Sequence, residues 1–194
     1  MDTTYPKPDT LIGAALAPLD LPRTVGLVFG FSLLTAAAAQ LKIPMFPVPI
    51  TGQTFVVLLA GALLGSRLGA ITMVAYLTEG AIGLPFFNGF SGGIGHILGP
   101  TGGYLVAFPA AAYITGAFAE HGWDKRFLSA VAAMTIGSLV ILLCGWAWLS
   151  QFRAPSAAFA AGVTPFIVGD IIKILLAAAA LPAGWKLLNR KASN

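Results

Sequence analysis

Charge is scarce in this chain: 7 acidic and 11 basic side chains make up 9% of 194 residues. A soluble domain carries about 25%, so an ordinary solvated surface is excluded. The lone cysteine, Cys144, excludes an intramolecular disulfide and a cysteine metal cluster. Two histidines without a carboxylate cluster give no reason to expect a metal site. The glycine-rich GGIGHILGPTGG (92–103) has neither the lysine of a Walker A loop nor a strand before it, so no nucleotide site of the chain's own is expected. The basic residues come one or two at a time at the ends of apolar runs, a membrane-topology pattern rather than a nucleic-acid stripe. The first 23 residues, broken by prolines and acidic as well as basic, lack a signal-peptide pattern. They read as a cytoplasmic tail with one interfacial stretch at 11–16.

What is present is apolar: 57% hydrophobic residues, with 23 glycines and 13 prolines and a mean hydropathy of +0.85. Runs near the roughly 20 residues a membrane span needs fall at 24–41, 68–84, 103–119, 127–152 and 166–185, with a short one at 54–66. The reading is an all-α multipass protein of six transmembrane helices over 24–188, with a further tail at 189–194. Charge tests the topology. With both termini inside, the cytoplasmic segments hold Lys7, Arg23, Arg67, Lys125, Arg126, Lys186, Arg190 and Lys191; the outer loops hold Lys42 and Arg153. That is the positive-inside bias of a cytoplasmic-membrane protein.

Two outer loops stand out. KIPMFPVPITGQT (42–54) has three prolines and leads into the short span; LPFFNGFSGGIGHILGPTGG (84–103) is too rich in glycine for a helix. Irregular backbone at membrane depth survives only when buried in protein or lining a cavity. The first loop, with Pro47, Val48, Pro49 and Thr51, therefore reads as a lid. GDIIKILL (169–176) sets Asp170 and Lys173 in the most apolar part of the chain, where each charge costs roughly 2.5–3.5 kcal/mol to insert. Intramembrane charges of this kind mark function by default; an i, i+3 packing pair is the alternative. Counting 1.5 Å per residue puts Glu79 in the same outer layer, and Asn88, Gln53 and Tyr104 reach it from loop positions. GFSG (89–92) resembles a serine-protease motif, but His96 stands in the same loop as Ser91 and His121 on the opposite side, so no base is expected for a nucleophile. Trp146, Trp148, Trp123 and Trp185 read as interfacial belt residues.

PVPITGQTFVVLLAGALLGSRLGA (47–70), GLPFFNGFSGG (83–93), LGPTGGYLVAF (98–108) and PFIVGDIIKILLA (165–177) together resemble the BioY family, the biotin-specific S components of energy-coupling factor (ECF) vitamin transporters. The resemblance runs from about residue 25 to 188 in the family's order. It implies a six-helix S-component fold with one biotin near the outer face, beneath the loop joining helices one and two. It also implies polar binding residues at Asn88, Asp170 and Lys173. Asp170 would accept a ureido N–H, while Lys173 and Asn88 would donate to the carbonyl. Biotin is then the transported ligand, no cofactor is implied, and the chain is not an enzyme. The implied partners are a transmembrane coupling protein and two cytoplasmic ATPases. The family's alanine pair four apart on helix one is missing from TAAAAQ (35–40). Gly26 with Gly30, or Thr35 and Ala39 in the alanine run, stand in as the coupling contact. Homo-oligomerisation stays open, as do uptake without partners through Glu79 protonation and a purely scavenging receptor.

Overall fold

A computed structural model describes residues 10–16 and 18–192. Lys7 of the charge bias, and residues 193–194 of the expected C-terminal tail, lie outside the described residues. α1 (Leu11–Leu16) forms at the interfacial stretch. α2 (Leu21–Gln40) starts three residues ahead of the expected span, because Asp20 caps it by accepting the Arg23 N–H at 3.0 Å. A hairpin follows, β1 (Lys42–Ile43) paired antiparallel with β2 (Ile50–Thr51), so the proline loop is a strapped turn rather than open coil.

α3 (Gln53–Leu64) and α4 (Ser66–Ala81) meet at a corner of one residue, Gly65, whose φ of 90° suits glycine. The Glu120 carboxylate closes that corner, accepting the Ser66 backbone N–H at 2.7 Å and the Ser66 hydroxyl at 2.9 Å. A negative charge there complements the exposed N–H groups of the helix start.

The glycine-rich stretch is a loop as expected, holding the short α5 (Ile94–Ile97) and a bridge between Phe87 and Ser91. Helix resumes at α6 (Gly102–Val106) and α7 (Phe108–Glu120), interrupted near Pro109, which has no N–H to donate. A 3-10 turn at Trp123–Lys125 leads to α8 (Phe127–Leu149). α9 (Pro155–Gly162) occupies the connection from α8 to the last helix, a segment expected as loop. α10 (Phe166–Ala192) runs through the expected domain boundary at 188, so residues 189–192 extend the helix instead of forming a separate tail.

Among the described residues, four helical stretches are long and apolar enough to cross a membrane: Leu21–Gln40, Gly102–Glu120, Phe127–Leu149 and Phe166–Arg190. α3 and α4, with 12 and 16 residues, span about 18 and 24 Å. They pack on α7 at the centre, where glycines let backbones touch. A Cβ on Gly61 would overlap the Ala112 carbonyl oxygen, and one on Gly116 the Ser66 nitrogen. In lipid, where apolar burial drives little, such close approach holds helices together. The core includes Val57, Met73, Tyr76, Phe87, Phe108 and Met134.

At one end lie the hairpin, the glycine-rich loop and α9. Gln40 ties α2 to the glycine-rich loop by donating to Phe87 O at 3.0 Å and accepting the Phe90 N–H at 3.0 Å. The Trp148 indole donates to Gly99 O at 2.9 Å and that of Trp146 to Pro155 O at 3.0 Å, so these tryptophans clamp loops. Two of the four residues nominated on α2 for a partner contact are not available. Thr35 and Ala39 are fully buried against the rest of the bundle. Gly26 and Gly30 are exposed, with nothing within 4 Å of an added Cβ.

At the other end the Trp185 indole donates to Asp124 Oδ2 at 2.5 Å, and the Lys125 ammonium lies 4.6 Å from the Trp185 ring centre. Asp124 is 2% exposed and its Oδ1 has no partner. Burial pushes its carboxyl above the ordinary value of 3.8, against smaller opposing effects of Trp185 and Lys125. The folded chain therefore holds this proton more tightly than the unfolded chain, and stability falls as pH rises through that range. Asp124→Asn keeps an acceptor for Trp185 and removes the buried charge. It should raise the melting temperature at pH 7 and lose that advantage below about pH 4. An equal gain at both pH values in a thermal melt would show that ionisation is not the cause.

Candidate ligand-binding site

A cavity opens at the end that carries the hairpin, with the mostly apolar lining and few polar groups usual for small-molecule sites. Val48, Pro49 and Thr51 roof it from the hairpin, and Gln53 and Thr54 enter from the first turn of α3. Asn88, His96 and Thr101 come from the glycine-rich loop, and Tyr104, Leu105 and Phe108 from α6 and α7. Ile141 and Leu142 of α8 and Phe166 and Lys173 of α10 complete it. Val48 is 3% exposed, so the proline loop tucks an apolar side chain down into the site. Pro47 is half-buried beside it and does not reach the lining. The Arg153 guanidinium lies 5.1 Å from the centre of the neighbouring Phe46 ring.

Of the five residues nominated for ligand contact, four line this cavity, and their polar atoms differ in availability. Gln53 belongs to α3, not to a loop. Its carbonyl accepts from the Thr51 hydroxyl at 2.9 Å and its amide donates to the Tyr76 hydroxyl at 2.5 Å. The Tyr76 hydroxyl donates in turn to Phe86 O at 3.1 Å. Gln53 thus straps the hairpin and the glycine-rich loop to α4. Tyr104, on α6, donates its hydroxyl to Gly162 O at 2.7 Å and stacks on Phe166 at 5.8 Å between ring centres. What it offers the cavity is a ring face. Asn88 Oδ1 is buried with no partner, an acceptor left open to an occupant.

Lys173 is the one cation among the described lining residues. Its ammonium donates to Thr54 Oγ1 at 2.8 Å and to Asp170 Oδ1 at 3.2 Å. Asp170 is where the arrangement departs from expectation. It is 6% exposed, does not line the cavity, and takes the Ser138 hydroxyl on Oδ2 at 2.6 Å. The i, i+3 pair expected on α10 forms, with only its lysine facing the cavity. Nothing in the sequence singles out Thr54 or Ser138, since hydroxyls in apolar helices usually bond their own backbone.

Two further residues of the sequence reading, Ser91 and Glu79, have defined partners. Ser91 Oγ lies 3.0 Å from His96 Nδ1, closer than the sequence implied, and donates to Asn88 O at 2.8 Å. The serine thus bonds both the Asn88 carbonyl and the His96 ring within one loop, and the three groups tie that loop together. Burial keeps the His96 imidazole below its ordinary pKa, and the ring stacks on Phe87 at 5.1 Å. Glu79 accepts from the Ser32 hydroxyl between α4 and α2 and does not line the cavity.

Apolar helices of membrane length around a closed-over cavity with few, convergent polar groups define a membrane-embedded small-molecule-binding protein. The BioY family profile matches residues 12–190, and the chain belongs to that family. It is 49% identical over 152 residues to the probable biotin transporter BioY of Pyrococcus horikoshii, covering 78% of this chain and 89% of that one. With the biotin transporter BioY of Thermotoga maritima it shares 35% identity over 150 residues, 76% of this chain and 87% of that one. The crystal structure of an S-component for biotin from an ECF-type ABC transporter superposes with a TM-score of 0.76 at 27% identity, covering 85% of this chain and 92% of that one.

Proposed function

We infer that this chain binds biotin in the cavity under the hairpin and carries it across the cytoplasmic membrane as the substrate-specific component of an ECF-type transporter. The observation that carries the reading is the pairing of open polar groups there: Asn88 Oδ1 as an unpartnered acceptor and Lys173 as a donor within apolar walls. Biotin's ureido ring presents N–H and C=O side by side, and its thioether ring and tail suit the faces of Tyr104, Phe108 and Phe166. The decisive experiment is calorimetry of the detergent-purified chain with biotin. Saturable one-to-one binding at micromolar biotin or below is expected; no heat from folded protein would remove the reading.

In this reading α3 and α4 cross the bilayer with the four longer stretches, giving six spans and both termini inside. The short α3 is completed by the hairpin above it. A transmembrane coupling protein and two cytoplasmic ATPases supply energy, the former docking on the exposed Gly26–Gly30 side of α2. The hairpin acts as the lid. A single cysteine at Val48 or Thr51, in a Cys144→Ser background, should be labelled more slowly by a maleimide when biotin is bound. Equal rates with and without biotin would show that the hairpin does not gate the site.

A further inference from the structure

The cavity's ammonium is held from three helices, and two of the residues around it have no role in the reading above. Ser138 of α8 donates to Asp170 Oδ2 at 2.6 Å; Asp170 Oδ1 accepts from Lys173 Nζ at 3.2 Å; Lys173 donates also to Thr54 Oγ1 of α3 at 2.8 Å. Ser138 and Asp170 are 4% and 6% exposed, so water does not compete for these bonds. An ammonium has three N–H donors and a hydroxyl has one donor and two acceptor positions. Two of the lysine's donors are committed, which leaves one. Thr54 Oγ1 accepts one bond from the lysine, and its own O–H is committed to no other group among the described residues, so that O–H is available to the cavity it lines. Two donors therefore converge on one corner.

We propose that Thr54 is a ligand-binding residue and Ser138 a positioning residue of this site, and that the Lys173 N–H and Thr54 O–H together take the ureido carbonyl oxygen of biotin. This rests on the biotin reading above. The choice of the carbonyl over the carboxylate follows from charge. Asp170 and Lys173 already cancel, so a carboxylate at this corner would leave a net negative charge in a largely apolar cavity, which is costly. A neutral carbonyl oxygen accepts both donors and adds no charge. Asn88 Oδ1, unpartnered in the same cavity, suits the N–H that flanks that carbonyl. Ser138 contributes at one remove: by occupying Oδ2 it holds the Asp170 carboxylate with Oδ1 toward Lys173, and so sets the direction of the remaining ammonium proton. The hydroxyl of a serine in an apolar helix can otherwise turn to its own backbone; here it reaches across to α10.

The test is calorimetry of purified, folded variants with biotin and with 2-iminobiotin in its protonated form, which presents N–H where biotin presents C=O. Thr54→Val keeps shape and should weaken biotin roughly tenfold, with Thr54→Ser close to the parent. Protonated iminobiotin meets the two donors head-on in the parent, and its disadvantage relative to biotin should shrink by roughly tenfold in Thr54→Val. Ser138→Ala should weaken biotin several-fold, and should add nothing further in an Asp170→Asn background, because it acts through that carboxylate. Parental biotin affinity and an unchanged iminobiotin gap in folded Thr54→Val would overturn the role of Thr54. Additive losses in Ser138→Ala and Asp170→Asn would overturn that of Ser138. Failure of the parent itself to bind biotin would instead overturn the underlying reading.

Discussion

Lys173→Ala should reduce biotin affinity by two to three orders of magnitude and lower the melting temperature as well. The substitution removes the one cation lining the cavity among the described residues. It also strips Asp170, 6% exposed, of its ion-pair partner and leaves it only the Ser138 hydroxyl. Breaking a buried pair from one side costs about 3–5 kcal/mol, since the remaining charge is stranded. Binding and stability therefore fall together, but for separable reasons. Biotin stabilises the folded state by RT ln(1 + [L]/Kd), so thermal protection at a fixed biotin concentration should nearly vanish in the variant. If Lys173 were only a clamp between α10 and α3, the variant would melt early yet bind biotin with parental affinity in its folded fraction. Asp170→Asn makes a useful companion. Because the carboxylate stands behind the lysine, its loss should weaken biotin only through the aim of Lys173, and by less than Lys173→Ala does.

Gly61→Val should be the most disruptive change away from the cavity. At the contact of α3 with α7 a Cβ on Gly61 would overlap the carbonyl oxygen, carbonyl carbon and Cα of Ala112. These are backbone atoms that cannot rotate aside. On the other flank the Gly69 position would meet the Gly61 Cα at 2.9 Å, so α4 is packed against the same stretch. Overpacking of a tight core costs about 1–3 kcal/mol, and more when backbone must move. The folded yield in detergent should fall steeply for valine and measurably for alanine. Gly30→Ala is the control, because nothing lies within 4 Å of its Cβ; it should melt like the parent. Gly30→Leu should likewise leave biotin binding intact while impairing uptake in cells that supply the partner subunits. Equal melting of Gly61→Ala and Gly30→Ala would refute this account of the packing.

Most of the large-scale organisation was legible in the residues. Scarce charge and long apolar runs are a direct consequence of the cost of polar groups in lipid, so the all-helical membrane class and the helical stretches near 24–41, 103–119, 127–152 and 166–185 followed from composition and length alone. The glycine-rich loop and the proline turn were likewise visible, because glycine and proline act on local backbone freedom. Four ordered sequence blocks were enough to mark the family. The boundaries were less legible: α10 continues past residue 188, and α9 fills a connection read as loop. Its run PSAAFAAG is too short to show helical periodicity.

What only the tertiary structure decided is which atoms of the polar residues are open to a ligand. Asp170 and Lys173 look equivalent in GDIIKILL, yet their positions three apart on α10 turn one toward Ser138 of α8 and the other toward Thr54 of α3. Gln53 and Tyr104 reach the cavity as expected, but distant partners, Tyr76 and the Gly162 carbonyl, have taken their hydrogen-bonding groups. Thr35 and Ala39 turn inward while Gly26 and Gly30 face out, a matter of which side of α2 packs on α4. Residue type and spacing determine what each side chain can donate or accept. Whether that capacity is already satisfied depends on contacts between residues up to 119 positions apart, and those exist only once the helices have packed.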